Sequence, residues 1–291
     1  MLSHAVFTDL LLHADDELAA LLGARIVERR TIHEWPLSCV QRLVLEDGRR
    51  LVYKSQRPPT VELAFYERAV SPLLPAHRAL GRLGECDTMT IEWIDAPLLS
   101  AIATRDSDMT DHGRRVMTAI AAMTSTVGAR ALPVYLDVGS REKWSANAHI
   151  ALDKMRALVL DRRFASVTLD QIAGLTTWSA SAAVLDAIDA NPRVTHGDLK
   201  GDQVFVMSEA DAGYRVIDWQ RPVIAPPETD LVSLLVEQHM QPYGFVDRTI
   251  IGIFWFLRLC WAIEAQFDLF PHLNVGPFER WARRATRHIL A

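Results

Sequence analysis

The period of the apolar positions changes along the chain, and the change divides it. Residues 5–22 place Val6, Leu10, Leu11, Leu18, Leu21 and Leu22 at helical spacing, and Gly23 closes that segment as a C-terminal glycine does. Strand-like runs follow at 24–29, 40–46 and 49–54, the last two joined by Asp47-Gly48, a tight-hairpin dipeptide. Pro58-Pro59 breaks the chain, and Thr60 is placed to cap a helix over 61–69. Alternation returns over 88–94, and Asp95-Ala96-Pro97 marks a boundary. Beyond it the pattern is mainly helical, over 109–127, 144–160 and 168–190. The last of these opens on the capping box Thr168-Leu169-Asp170-Gln171 and stops at Asn191-Pro192. Residues 222–227 are proline-rich and irregular. Helices are then expected from Asp230, over 246–267 and over 277–289. No repeat or low-complexity segment is visible.

One β unit interrupts the helical part. Thr195-His196-Gly197-Asp198-Leu199-Lys200-Gly201-Asp202-Gln203 runs into the strand-like 204–206, and Tyr214-Arg215-Val216-Ile217 ends on Asp218-Trp219. The polar stretch 208–213 reads as the loop of a hairpin. Antiparallel strands bring their outer ends together. Asp198, Gln203 and Asp218 are therefore expected to converge.

Composition narrows the class. Of 291 residues, 49% are apolar and 23% charged, ordinary values for a globular chain with a large core. The net charge of −5 argues against a nucleic-acid-binding surface. Three scattered cysteines, Cys39, Cys86 and Cys260, form no zinc pattern and suit a reducing, cytoplasmic setting. No signal peptide is visible. The most apolar run, 250–257, falls short of the roughly 18 residues a membrane span needs, and Arg258 follows it; it reads as a buried helix. No membrane association is expected, and the chain is expected to be a monomer or weak homodimer.

The order His196-Gly197-Asp198, then Gln203, then Ile217-Asp218-Trp219 resembles the pattern H-G-D-x-x-x-x-N … I-D-[FW] of the aminoglycoside phosphotransferases and choline-kinase-like enzymes, small-molecule relatives of protein kinases. Gln203 departs from the usual Asn. The resemblance covers most of the chain. It implies an α+β, protein-kinase-like two-lobed fold. Residues 1–95 would form a nucleotide-binding lobe with an antiparallel sheet and one helix. Residues 96–291 would form a mainly helical catalytic and substrate lobe.

The resemblance also implies roles. Lys54, ending the strand 51–54, is expected to bind nucleotide phosphates, oriented by Glu62, with Glu67 as the alternative acid. The link 31–39 would cover the phosphates; it lacks glycine, so Ser38 would offer its hydroxyl and amide. Glu92, Trp93 and Ile94 fall at the adenine-binding hinge, Trp93 facing either adenine or the core. Asp218 and Gln203 are the expected magnesium ligands. Asp198 would face the acceptor hydroxyl as base, and Lys200 would touch the γ-phosphate or lie solvated. His196 and Asp230 are expected to be architectural. The cofactors are ATP (or GTP) and Mg²⁺.

The implied reaction is transfer of the γ-phosphate of ATP to a hydroxyl of a small molecule, with an aminoglycoside-like antibiotic as the expected acceptor. A choline, homoserine or sugar kinase is an alternative, and so is a nucleotide-binding pseudokinase that binds a partner. Only six residues separate Trp219 from Pro226, too few for the peptide-binding segment of a protein kinase. Asp137, Glu264 and Asp268 are the candidate carboxylates for acceptor amines. Glu264 and Asp268 lie four apart among Trp261, Phe267 and Phe270.

Overall fold

The computed structural model describes residues 1–126, 132–208 and 213–291. These form two compact units. The first holds Met1–Ile102, Ala122–Tyr135 and Gly201–Pro222; the second holds Ala103–Ala121, Leu136–Lys200 and Val223–Ala291. The units therefore do not follow a single boundary at residue 95. The chain returns to the first unit for the segment that carries Gln203 and Asp218.

The N-terminus departs from the expected helix. Strands β1 (Leu2–Ser3) and β2 (Leu11–Leu12) pair antiparallel, and helix α1 is confined to Asp15–Leu22. Three acids, Asp15, Asp16 and Glu17, fix its start, where the helix dipole favours negative charge. Gly23 ends it in the left-handed conformation at φ 72°. The apolar residues before Asp15 serve the sheet instead: Leu10 and Leu12 pack with Leu18, Leu22, Leu43, Leu45 and Tyr53.

That core covers an antiparallel sheet of β3 (Ile26–Trp35), β4 (Ser38–Leu45), β5 (Arg50–Gln56), β6 (His77–Leu83) and β7 (Cys86–Glu92), in the order β3-β4-β5-β7-β6. Gly48, at φ 86°, turns the β4–β5 hairpin where the Asp-Gly pair predicts it. In register, Lys54 stands opposite Val40 and Met89, in the central strand. Strand β6 had no clear sequence signal. His77-Arg78-Ala79-Leu80-Gly81-Arg82-Leu83 lies at the sheet edge, largely exposed, so its pattern is not apolar. Helix α2 (Glu62–Arg68) follows β5; its N-cap is Val61 and not the expected Thr60, whose hydroxyl, one residue earlier, accepts from the Glu62 amide at 3.2 Å. The short α3 (Leu99–Ile102) precedes α4 (Asp106–Thr126), which the expected helix 109–127 matches except for Val127, outside the described residues.

In the second unit β8 (Leu136–Asp137) leads to α5 (Arg141–Leu160), α6 (Leu169–Ser179), α7 (Ala182–Ala190) and β9 (Arg193–Thr195). The capping box at Thr168 and Gln171 is present. The single helix expected over 168–190 is two. Ser179 turns its hydroxyl back to the Thr176 carbonyl at 3.0 Å, and Ser181 N bonds the Trp178 carbonyl at 3.1 Å, ending α6 before α7 begins.

The chain then returns to the first unit as β10 (Val204–Val206) and β11 (Tyr214–Val216), the expected hairpin, in the register Val204↔Val216. Residues 209–212 of its loop lie outside the described residues. Back in the second unit, the proline-rich stretch contains a strand, β12 (Val223–Ala225). It runs antiparallel to β9 and parallel to β8. Pro222 before it and Pro226-Pro227 after it masked a largely buried Val-Ile-Ala run.

Helices α8 (Glu228–Glu237), α9 (Arg248–Glu264) and α10 (Gly276–Leu290) complete the second unit. A π turn over Ala265–Leu269 extends α9. Together, Arg248–Leu269 is long and apolar enough to cross a membrane, with mean hydropathy 1.5, and 67% of that window is buried within the fold. The apolar run 250–257 understated its length. Its buried face includes Phe256, which packs on Trp144 of α5 at 5.0 Å between ring centroids.

Candidate active site

The first unit builds a buried ionic cluster. Lys54 Nζ lies 2.8 and 3.0 Å from the two carboxylate oxygens of Glu62 and 3.1 Å from Asp218 Oδ1. Lys54 and Glu62 are almost wholly inaccessible, at 4% and 0% side-chain exposure, while Asp218 retains 29%. Burial alone would push the ammonium of Lys54 down, but the carboxylates of Glu62 and then Asp218 reverse this and raise it, so it stays a cation. Burial raises the carboxyl of Glu62, and Lys54 opposes that rise. Glu67, the alternative acid, is exposed. Alternation along β5 and one turn of α2 thus suffice to set the pair. Gln56, two residues beyond Lys54 on the same strand, donates to Glu62 Oε2 at 2.6 Å. The sequence reading missed it, although a polar residue at i+2 from the lysine shares its face of the strand.

Asp218 ends the hairpin at φ 73°, a left-handed conformation that costs a non-glycine residue energy and that Asp tolerates better than most. The sheet continues to its doorstep, since the Ile217 amide bonds the Gln203 carbonyl at 3.0 Å. The Gln203 amide donates to Asp218 Oδ2 at 3.0 Å, and Gln220 Nε2 lies 2.5 Å from Oδ1. Behind the carboxylate, Trp219 stacks on Phe65 at 4.5 Å and 8°. Asp218 and Gln203 therefore come together as expected; Gln220 was not foreseen.

A carboxylate and an amide in contact are a hard-oxygen donor set, suited to magnesium that keeps several waters. Gln203 is 6% exposed and its amide faces Asp218, so rotating the amide by a half turn would present its oxygen at the same place. The residues fit the ion. Among the described residues no group of three or more His, Cys, Asp or Glu is placed to hold a metal.

The remaining expected nucleotide contacts are mixed. Ser38 is buried at 1% exposure, and among the described residues its hydroxyl has no hydrogen-bond partner. Trp93 is half-buried, with the Arg42 guanidinium 5.1 Å over its ring, rather than packed in the core. Glu92 accepts from the Ala76 amide at 3.0 Å, and Ile94 is half-buried.

The second unit builds the loop that carries Asp198. Asp230, in the first turn of α8, accepts from the His196 amide at 2.8 Å and from the Gly197 amide at 3.0 Å. It is 2% exposed. Burial raises its carboxyl, while His196 and the two amides pull the other way. Gly197 takes φ 81°, which the loop requires and glycine supplies. His196 is fully buried. The architectural roles expected of these two residues fit that placement.

Asp198 does not stand open. Lys200 Nζ lies 3.2 Å from Oδ2, and Arg258 Nη1 of α9 lies 2.8 Å from Oδ1. Arg258 also holds Glu237 of α8 at 2.7 Å through Nη2 and lies over the Phe254 ring at 5.4 Å. Arg258 and Glu237 were missed as site residues. The signal was present: one arginine inside a run of apolar helix.

Two of the three candidate amine-binding carboxylates are paired with lysines. Asp137 is paired with Lys143 at 2.5 Å and Asp268 with Lys154 at 2.6 Å. Each lysine arises from a residue of α5, whose start is fixed by Ser140 capping the Lys143 amide. Glu264 lies by Cys260, whose thiol is pushed up to about 12 by burial and then by that carboxylate. Asp268 falls in the π turn, so the helix that carries Glu264 does not continue regularly to it.

A central-strand lysine held by a helix glutamate, a His-Gly-Asp loop and a metal-fit Asp at a hairpin end define a protein-kinase-like phosphotransferase. Residues 40–253 match the family described as APH, the phosphotransferase enzyme family, and the chain belongs to it. It is a small-molecule kinase. No curated protein matches the sequence. Among solved structures it is similar to a thermostable mutant of the aminoglycoside phosphotransferase APH(4)-Ia, with 14% identity, 94% of this chain and 98% of that one covered, and TM-score 0.60. It is similar to the macrolide 2'-phosphotransferase MphH of Brachybacterium faecium, with 16% identity, 93% and 95% covered, and TM-score 0.60. It is also similar to choline kinase of Cryptosporidium parvum, with 13% identity, 91% and 88% covered, and TM-score 0.58. At such identities these likenesses are likenesses of fold, α+β and protein-kinase-like.

Proposed function

We propose that this protein transfers the γ-phosphoryl group of ATP to a hydroxyl of a small molecule, with magnesium, in the cytoplasm. The observation that carries the reading is the buried Lys54–Glu62–Asp218 cluster beside Gln203. It places a permanent cation next to a metal-fit carboxylate, which is the equipment that phosphate oxygens require. Solved relatives of the same fold bind ADP with spectinomycin and AMP-PNP with hygromycin B. Those complexes support a nucleoside triphosphate here and keep an antibiotic as the first acceptor reading, with a choline- or sugar-like metabolite as the second.

Each residue then has a role. Lys54, held by Glu62, neutralises phosphate oxygens. Asp218 and Gln203 would hold the magnesium ion, which when bound neutralises charge on the transferring phosphoryl group. Asp198 accepts the proton of the acceptor hydroxyl as its oxygen bonds to phosphorus and the bridging bond to ADP breaks. Asp230 keeps the Asp198 loop in place through two backbone amides.

Titration with a fluorescent ATP analogue, with and without magnesium, tests the assignment. Asp218→Ala should lose metal-dependent nucleotide binding together with turnover. Asp198→Ala should keep nucleotide affinity while turnover falls by about 10²–10⁴. Equal loss of affinity in both variants would overturn these roles.

A further inference from the structure

The second unit pairs several of its carboxylates with cations, Asp198 among them, and the pairing of Asp198 bears on the acceptor. Asp198 has two cations against it, Arg258 at 2.8 Å and Lys200 at 3.2 Å. Glu237 shares Arg258 at 2.7 Å. Asp137 has Lys143 and Asp268 has Lys154. Four carboxylates thus meet four cations. An acceptor that set an ammonium group against Asp198 would have to displace Arg258 or Lys200 from it. It would also bring a positive charge next to the guanidinium of Arg258 itself, and like charges at contact distance are strongly disfavoured.

Arg258 is fixed as firmly as such a residue can be. It arises from α9, a core helix, and is 25% exposed. Its two Nη atoms are spread between Asp198 and Glu237, and its face lies on Phe254. A planar guanidinium held by two carboxylates and a ring does not swing aside as a lone surface lysine does. It stays against the one carboxylate that must face the reacting hydroxyl.

We infer that Arg258 narrows the acceptor class left open above to an uncharged hydroxyl compound, such as a polyol, sugar or lactone, in place of an aminoglycoside-like polyamine or a cation such as choline. The inference rests on the reading of Asp198 as the acceptor-side base, and it concerns a residue outside the family's sequence pattern. Glu237 anchors Arg258, and Phe254 supports it.

The test is ADP release with magnesium-ATP on three sets of probes: neutral sugars and hydroxylated lactones, aminoglycosides with several ammonium groups, and hydroxycarboxylates. The neutral set should give the highest kcat/KM. Arg258→Glu should lose about tenfold or more on the best neutral acceptor and gain on the aminoglycosides through KM. Arg258→Lys should keep the parental ranking of the three sets. Nucleotide affinity and melting temperature, measured on each variant, show that it is folded. The inference is overturned if aminoglycosides or hydroxycarboxylates are the best substrates of the parent, or if Arg258→Glu leaves the ranking unchanged. Asp198→Asn separates the two claims. If it keeps full turnover, the base assignment fails. If it is inactive while Arg258→Glu ranks the probes as the parent does, only the role of Arg258 fails.

Discussion

Replacing Glu62 by Gln isolates the buried cluster from everything else in the site. The change keeps the side chain's shape and removes one charge. Lys54, at 4% side-chain exposure, would retain a charged partner only in Asp218, at 3.1 Å and 29% exposed. Gln56 would face an amide in place of the carboxylate it donates to at 2.6 Å. Removing one member of a buried ion pair typically costs ~3–5 kcal/mol, because the other charge stays desolvated. Asp218 remains, so the lower end applies, about 3 kcal/mol. For a chain of this size 1 kcal/mol moves the melting temperature by about 2–4 °C, which gives a fall of about 6–12 °C. Thermal unfolding followed by circular dichroism at neutral pH reads it directly. The double variant Lys54→Met/Glu62→Leu removes both charges and should melt above either single variant, although it is inactive. A Glu62→Gln protein that melts within about 1 °C of the parent would show that the cluster is not the tightly desolvated unit described, and the argument from burial would fail.

Other outcomes follow from single residues. Asp230→Ala should lower turnover and shift the melting temperature down, because the buried His196 amide loses its acceptor at about 1–3 kcal/mol and the half-buried Gly197 amide loses its own at less; hydrogen exchange at those amides should accelerate. Gly252→Ala should destabilise by about 1–3 kcal/mol although alanine favours helices, since the new Cβ would sit 2.6 Å from Trp178 Cζ2; a neutral or raised melting temperature would show that Trp178 moves freely. Cys260, which is half-buried, should react with a disulfide reagent faster as pH rises above 8, because the thiol must lose its proton to react and burial, then Glu264, hold it up. Denaturation at pH 8 should restore its reactivity at once.

Much of the site was legible before the fold was known. Lys54, Glu62, Asp198, Gln203, Asp218 and Asp230 each sit at a place where a strand, turn or helix end is signalled by its neighbours. Local pattern fixes those places, while the choice of these residues and their roles came from the resemblance to the phosphotransferases. What the sequence concealed was long-range: Arg258 reaches Asp198 across 60 positions of chain, and Lys154 reaches Asp268 across 114. No local period encodes such pairs. Elements failed to show for related reasons. Strand β6 lies at an edge and is polar; β12 is three residues between prolines; and the residues before Asp15 look helical because the sheet core uses leucines at a spacing that a helix would also use. Ser181 and its neighbours carry no glycine or proline, so the break between α6 and α7 left little trace.

The arginine in the middle of α9 also bears on how the chain is made. Arg248–Leu269 is apolar enough for the secretion machinery to weigh it as a candidate for lateral release into lipid as it leaves the ribosome. Arg258 is the eleventh residue of those 22, close to where the hydrocarbon would be deepest. On the scale measured for insertion, arginine at a helix centre costs about 2.5–3.5 kcal/mol, comparable with the summed gain from several leucines or phenylalanines. The guanidinium that binds Asp198 in the folded protein thus also penalises diversion of the nascent helix into a bilayer. Arg258→Leu would remove both effects in one step, and a membrane-integration assay on the isolated segment should score the variant as inserted more often than the parent.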